Sequence, residues 1–237
     1  MTFEGKLAVV TGATRGIGRA IAARFLAGGA KVIATGRHVN GHVPEGASYE
    51  AVDCSSRDAI EAFATRLNEV SPDILINNAG MNKNVPFDAI DPTIFAQIQQ
   101  VNVVAPLRFS QAVLGGMRAK GWGRIVSISS IFGKISKAHR ASYSTSKFGL
   151  DGMMAALAAE VAAEGILVNC AAPGFTETDL TRSMLGEKGL AEIAAQIPIR
   201  RLAQPDEIAA FVVWLASSEN TYISGQNIAI DGGFTRV

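Results

Sequence analysis

A doubly wound α/β fold, with one parallel seven-stranded sheet and helices on both faces, is predicted by three observations. Short β-branched runs alternate with longer helical ones along the 237 residues. A glycine-rich turn joins the first run to the first helix. No low-complexity linker and no internal repeat divides the chain. Parallel neighbours must be joined by long crossovers, and helices supply them while covering the sheet on both sides. One domain over residues 1–237 is therefore expected.

The elements follow in order. "KLAVVTG" reads as a buried strand and "GIGRAIAARFLAGG" as a helix closed by glycines. "KVIAT" and "SYEAVD" read as the next two strands. "SRDAIEAFATRLNEV" repeats Ile60, Phe63, Ala64 and Leu67 at helical spacing, and "DILINNAG" runs from strand into a polar turn. "DPTIFAQIQQVNVVAPLRFSQAVLGGMRAKG" is predicted as one long helix kinked by Pro106. "GRIVSISS" is a strand, and "SYSTSKFGLDGMMAALAAEVA" (142–162) a helix. "ILVNCAAPG", "PDEIAAFVVWLAS" and "QNIAI" complete the chain as strand, helix and strand. The least regular stretch, 174–200, contains Gly174, Gly186, Gly189 and Pro198 and is expected to form a substrate lid.

Lys and Arg total 22 against 21 Asp and Glu, a balance that argues against nucleic acid or an anionic membrane surface as partner. No apolar run reaches membrane-spanning length. The start, "MTFEGKLAVVTG", enters a strand without a basic and then apolar leader, which predicts a cytoplasmic protein. Cys54 and Cys170 are expected to be unlinked thiols. His38, His42 and His139 have no carboxylate or thiol companions at ligand spacing, so no metal site is expected.

"VVTGATRGIGRA" places Gly12, Gly16 and Gly18 between a strand and a helix. Glycines there let the backbone turn tightly and approach a pyrophosphate, and the helix N terminus offers N–H groups and the positive end of its dipole. Thr14, Arg15 and Ile17 of the same loop join them as candidate cofactor contacts. The sheet is thus expected to be a Rossmann-type nucleotide-binding one. At the end of the second strand, Gly36 and Arg37 stand where an acid would read a ribose 2′-hydroxyl. A carboxylate would repel a 2′-phosphate, whereas Arg37, with Arg15 nearby, could pair with one. NADP(H) is therefore expected over NAD(H).

"TGATRGIG" (11–18), Asp53 after the third strand, "NNAG" (77–80), Asn102, Ser130, "YSTSK" (143–147) and "PGFTET" (173–178) follow one another in order. With them the chain resembles the short-chain dehydrogenase/reductase family over essentially its whole length. The likeness is closest to 3-oxoacyl-[acyl-carrier-protein] reductase-like members, including the ending "ISGQNIAIDGG" (223–233). The resemblance implies an oxidoreductase that moves a hydride between nicotinamide and a carbonyl or secondary alcohol.

An unperturbed phenol, with a pKa of about 10, is a poor acid at neutrality. Lys147 lies four residues after Tyr143, on the same helix face, and a neighbouring ammonium is expected to lower that pKa. The resemblance assigns Asn102, Ser130, Tyr143 and Lys147 to catalysis. Tyr143 would be the acid/base. Lys147 would also hold the nicotinamide ribose, and Asn102 a water linking Lys147 to solvent. Ser129 competes for the serine role, but the family spacing, thirteen residues before the tyrosine, selects Ser130. Asn78, Ala79 and Gly80 should approach the adenine ribose. Pro173 and Gly174 should line the nicotinamide, and Thr178 its carboxamide or phosphate. Asp53 is either an adenine-side contact or simply an acid at the start of the next helix.

The substrate pocket should comprise residues 131–140, Phe175 and the 179–200 segment. "KISKAHR" carries Lys134, Lys137, His139 and Arg140 without an acid, which suggests an anionic substrate or an acyl-carrier protein. Against a carrier, Glu164 stands where the reductases commonly have a docking arginine, and Gly121 and Trp122 where another base is common. A small ketone, sugar or cyclic alcohol is the alternative substrate, and a non-catalytic nucleotide-binding regulator a more distant reading. The family likeness implies a homotetramer or homodimer paired through the helices at 91–119 and 143–163.

Overall fold

The computed structural model describes residues 1–236, with the backbone alone at 179, 180, 184 and 185. Seven strands form one sheet: β1 (Leu7–Val10), β2 (Lys31–Gly36), β3 (Ser48–Ala51), β4 (Ile74–Asn77), β5 (Gly123–Ile128), β6 (Ile166–Pro173) and β7 (Asn227–Ile230). Their order is β3-β2-β1-β4-β5-β6-β7, and every pairing is parallel. Chain order reverses between β1 and β4. At such a switch point the loops leaving the strands turn to opposite sides and open a crevice at the carboxyl edge.

The described residues form seven α-helices: α1 (Gly16–Ala27), α2 (Arg57–Val70), α3 (Pro92–Gln99), α4 (Ala105–Lys120), α5 (Ala141–Val161), α6 (Asp179–Ala194) and α7 (Pro205–Leu215), of which α2, α4 and α5 cover one face and α1 and α7 the other. Strand residues alternate between faces, as the pleat requires. Val9, Leu75 and Ile125 pack on one side with Phe63 of α2, Phe109 of α4 and Met154 of α5. Ala8, Ile76 and Val126 pack on the other with Phe25 of α1 and Val212 of α7. Both layers are buried, so the strands read as nearly continuous apolar runs.

Local chemistry sets the boundaries. The Ser56 hydroxyl caps α2 by accepting from the Ala59 N–H. Gln204 and Glu207 form a capping box on α7, with Pro205 in its first turn. Gly121, at φ 60°, stops α4 in the left-handed conformation. α6 is broken at Gly186, whose φ of 62° and ψ of 177° no helix contains.

The predicted long helix is two helices. α3 ends at Gln99, residues 100–104 form a π turn, and α4 begins at Ala105. Pro106 lies in the first turn of α4 and has no N–H to give the carbonyl four residues earlier, that of Asn102. The irregularity therefore falls before the proline and takes Asn102 into it, a common place for a π turn to serve a site.

Candidate active site

Two loops face each other across the switch point and are bonded together. The Thr11 hydroxyl accepts from the Asn78 and Ala79 N–H groups at 2.9 and 3.0 Å. The Asn78 carboxamide donates to the carbonyls of Thr11 and Gly12 at 2.9 and 3.0 Å. A Cβ at Gly18 would stand 2.3 Å from the Asn78 Nδ2, and one at Gly12, whose φ is 65°, 2.9 Å from the Ala79 Cα. The glycines thus serve this inner contact as well as an outer surface. Asn78, expected at the adenine ribose, spends its side chain holding the turn.

The outer surface of the loop is bare. α1 begins after Arg15 without a side-chain cap, leaving its first N–H groups for a ligand. An open depression of about 460 Å³ lies there between Thr14, Arg15, Gly16 and Thr178. Ile17, by contrast, is half-buried against the α1 side of the core. Gly36 packs so closely that a Cβ would meet the Thr14 methyl at 2.5 Å and the Tyr49 hydroxyl at 2.9 Å. No carboxylate fits at that point. Arg37 beside it is exposed, and neither it nor Arg15 forms an ion pair among the described residues.

Asp53 is not the cap of α2, a role Ser56 takes; its Oδ1 instead accepts from the Ser55 N–H and hydroxyl. Burial would raise this carboxyl, but the Ser55 bonds and the charges of Arg37 and His38 outweigh it and hold it below the ordinary range.

At the neighbouring strand ends the structure brings Ser130, Tyr143 and Lys147 together. Ser130 follows β5 and caps a 3-10 turn, its Oγ accepting from the Phe132 N–H at 3.1 Å. The same hydroxyl lies near enough to the Tyr143 phenol to pull its pKa down. Ser129 points elsewhere, toward Gly133, where a Cβ would lie 2.7 Å from its Oγ. Lys147 is 4% exposed; its ammonium stands 5.6 Å from the centre of the Tyr143 ring and donates to the Ile128 carbonyl at 2.7 Å.

The electrostatics differ from the sequence expectation. Burial dominates at Tyr143 and raises its pKa; Ser130 and the Arg140 guanidinium pull it down. The Arg140 guanidinium is the cation that lowers the phenol in this balance, while the Lys147 ammonium, over the ring, donates to a backbone carbonyl. Burial takes Lys147 itself down to about 8.

Asn102 is fully buried. Its Oδ1 accepts from the Met81 N–H at 2.8 Å, and its Nδ2 donates to the Met81 carbonyl at 2.8 Å and to the Ser146 hydroxyl at 2.9 Å. Ser146 in turn donates to the Tyr143 carbonyl. This network ties the turn after β4 to α5. Gly80 sits inside it, a Cβ there lying 3.8 Å from the Lys147 Nζ. Met81 follows "NNAG" without a motif of its own; Thr11 and Ser146 lie within "TGATRGIG" and "YSTSK", but nothing in those spellings marked them as the groups that tie the loops together.

Pro173 ends β6, and a Cβ at Gly174 would press on the Asp231 backbone at 2.8 Å. Thr178 caps α6 by accepting from the Thr181 N–H, and its methyl faces Gly16. Its hydroxyl is therefore engaged in the fold. Phe132, Phe175 and Phe234 form an edge-to-face row, with ring centres 6.3 and 5.2 Å apart. The expected pocket segment 179–200 is only partly visible, because the side chains at 179, 180, 184 and 185 lie outside the described residues. No cluster of three or more metal-ligating side chains occurs among the described residues, and no helix there is long and apolar enough to cross a membrane.

Comparison with known proteins follows this geometry. The family described as Enoyl-(Acyl carrier protein) reductase matches residues 12–235. The 3-oxoacyl-[acyl-carrier-protein] reductase FabG of Salmonella typhimurium is 41% identical over 247 residues, covering 100% of both chains. A structure described as an NAD(P) dependent gluconate 5-dehydrogenase from Beutenbergia cavernae, with NADP bound at low occupancy, superposes with a TM-score of 0.92 at 33% identity, covering 100% of this chain and 99% of that one. A gluconate 5-dehydrogenase from Burkholderia cenocepacia in complex with NADP and tartrate superposes with a TM-score of 0.90 at 27% identity, covering 100% and 97%.

Proposed function

Because the chain belongs to the short-chain dehydrogenase/reductase family, we propose that it transfers a hydride between NADP(H) and a carbonyl or secondary alcohol, with Asn102, Ser130, Tyr143 and Lys147 as its working set. The observation that carries this reading is the Lys147 ammonium 5.6 Å from the centre of the Tyr143 ring, with the Ser130 hydroxyl acting on the same phenol.

The residues at the switch point suit a dinucleotide. The uncapped start of α1 and the glycine turn match a pyrophosphate, and the unpaired Arg15 and Arg37 match a 2′-phosphate. Asp53 with Ala79 would bound the adenosine side. Gly80, Lys147, Pro173 and Gly174 would bound the nicotinamide side. The cofactor, when bound, supplies the hydride.

The chain's own residues handle the oxygen. Negative charge gathers on the carbonyl oxygen as the new C–H bond forms. Ser130 holds that oxygen by a hydrogen bond, and Tyr143 gives it a proton. The phenol holds its proton at neutrality, and Ser130 and Arg140 work against the burial that would make it a weaker donor. Lys147 positions the cofactor ribose, and Asn102 positions the turn and helix that frame it.

The curated relatives are named for reduction of 3-oxoacyl groups on acyl-carrier protein, so a 3-oxoacyl carbonyl is the first substrate candidate. A small oxo or hydroxy acid is favoured by a separate observation. The bases near Glu164 are committed within the chain: Arg118 pairs with Glu164 at 2.6 Å, Lys120 with Asp73 at 3.1 Å, and Arg124 donates to the Ser217 and Asn220 carbonyls. Arg124 is buried, and a carrier protein would have to compete with Glu164 and Asp73 for the other two.

α6, broken at Gly186, is the lid in this reading. The exposed Val104, Leu107 and Phe148 on α4, the π turn and α5 suit pairing with further copies as a dimer or tetramer, which light scattering would size. Two buried, unlinked thiols suit a reducing cytoplasm.

The test is NADPH consumption with a panel of ketones, oxo acids and 3-oxoacyl thioesters. Tyr143→Phe should retain fold and NADPH binding while losing about a hundredfold or more in turnover. A folded Y143F enzyme with full turnover would remove the assignment.

A further inference from the structure

The geometry points to an anion-binding subsite made by Arg140 and Lys137 on the wall of the reaction pocket, one that seats a carboxylate of the substrate itself, a few bonds from the carbon that exchanges hydride. It rests on the reading of Ser130 and Tyr143 as the reactive pair.

Of the four bases in residues 134–140, only exposed Lys137 and half-buried Arg140 stand on the aromatic row. The Lys134 ammonium is tied to the Asn227 carbonyl of β7 at 2.7 Å. His139 is exposed and holds a φ of 67°, a left-handed conformation uncommon outside glycine. That turn directs the chain into Arg140, the residue before α5.

The other two cations lie on the aromatic row. The Arg140 guanidinium stands 4.8 Å from the centre of the Phe132 ring. The Lys137 ammonium stands 5.7 Å from both the Phe132 and the Phe175 ring centres. Ring faces anchor cations without neutralising them. Neither cation has an ion pair among the described residues, and burial lowers the pKa of both.

A half-buried guanidinium with no counter-charge costs free energy that a bound anion would return. Arg140 immediately precedes α5 and Tyr143 stands in the first turn of that helix, where the guanidinium's charge lowers the phenol's pKa. An anion seated on Arg140 therefore sits close to the reacting oxygen. The guanidinium fork matches a carboxylate in two parallel hydrogen bonds, and Lys137 adds a second charge. The phenyl row below suits the carbon chain between that carboxylate and the carbonyl. The class of substrate is an oxo acid, with the corresponding hydroxy acid in the reverse direction.

The experiment has two arms. In the first, wild type, Arg140→Gln, Arg140→Lys and Lys137→Ala reduce 3-oxobutanoate and its methyl ester with NADPH. Wild type should favour the acid over the ester in kcat/KM. R140Q should lower the acid-over-ester ratio of kcat/KM roughly tenfold to a hundredfold, the loss of a charge-assisted pair, on top of any loss the two substrates share because the phenol has lost a neighbouring cation. R140K should fall between, and K137A should lose less than R140Q.

The second arm needs no turnover. The Tyr143→Phe protein, saturated with NADP, is titrated calorimetrically with 3-hydroxybutanoate and its methyl ester, with and without R140Q. Preferential binding of the acid that disappears with R140Q supports the subsite even if no ketone is reduced, in which case only the catalytic reading falls. Equal affinity for acid and ester, no binding of the acid, or equal losses for both on R140Q overturns the subsite and leaves the oxidoreductase reading standing.

Discussion

The side-chain amide of Asn102 clamps both the N–H and the C=O of Met81, each at 2.8 Å, and reaches Ser146 with its spare N–H. A side chain at 0% exposure thereby satisfies two backbone groups of a turn that has no regular partner. Asn102→Ala leaves those groups unpaired and opens a small void. It should cost about 2–4 kcal/mol of stability, read by denaturant titration, and reduce turnover by loosening Gly80 against Lys147. A stability change within about 0.5 kcal/mol would mean that the clamp is dispensable.

Gly18 and Gly115 make a paired test of what glycine is for. A Cβ at Gly18 would collide with the Asn78 amide and the Gly12 carbonyl, at 2.3 and 2.4 Å, whereas nothing lies within 4 Å of one at Gly115. Gly18→Ala should weaken NADPH binding about tenfold or more, because the two loops must part. Gly115→Ala, on the exposed face of α4, should raise stability by roughly 0.5–1 kcal/mol. Isothermal titration and thermal melts separate the two.

Arg37 is predicted to decide between the cofactors. Arg37→Ala should weaken NADPH roughly tenfold to a hundredfold by removing a charge-assisted pair with the 2′-phosphate, and should leave NADH within about twofold. Parallel binding isotherms check this. A matched loss for both would place Arg37 outside the phosphate site.

Lys147 carries a pH signature. Its folded pKa of about 8 lies below the ordinary 10.5. Between those values the unfolded chain holds a proton that the folded chain has lost, so this group makes folding more favourable as pH rises from about 8 to about 10.5. At pH 7 both states are charged, and the folded state bears the full cost of burying that charge. Lys147→Met removes it. The stability advantage of K147M over wild type should be greatest near pH 7 and shrink, by up to about 3 kcal/mol, toward pH 10.5. K147M should also lose turnover. A stability difference independent of pH would place the ammonium in water.

Much of this was readable in one dimension. The apolar runs predicted the five inner strands, because a sheet buried on both faces needs continuous apolar stretches; the edge strands β3 and β7, partly exposed, were read from the alternation of elements instead. The glycine turn and the Tyr143–Lys147 spacing were legible because both are local, one a strand-to-helix junction and the other a single helical turn. The break at residues 100–104 was half-legible: Pro106 announced an irregularity, but its position depended on where the orphaned carbonyl of the preceding turn could go.

What the amino-acid order determines by itself is therefore which elements form and which reactive groups share a local turn or helix face. Tertiary structure decided how those groups are charged and partnered. It turned Lys147 to the Ile128 carbonyl, committed Asn78 and Thr178 to the fold, removed Lys134 to β7, and added Arg140 as a further charge acting on the phenol. Burial and hydrogen bonding depend on residues far apart in the chain, and they set both pKa and the freedom of a side chain to meet a ligand.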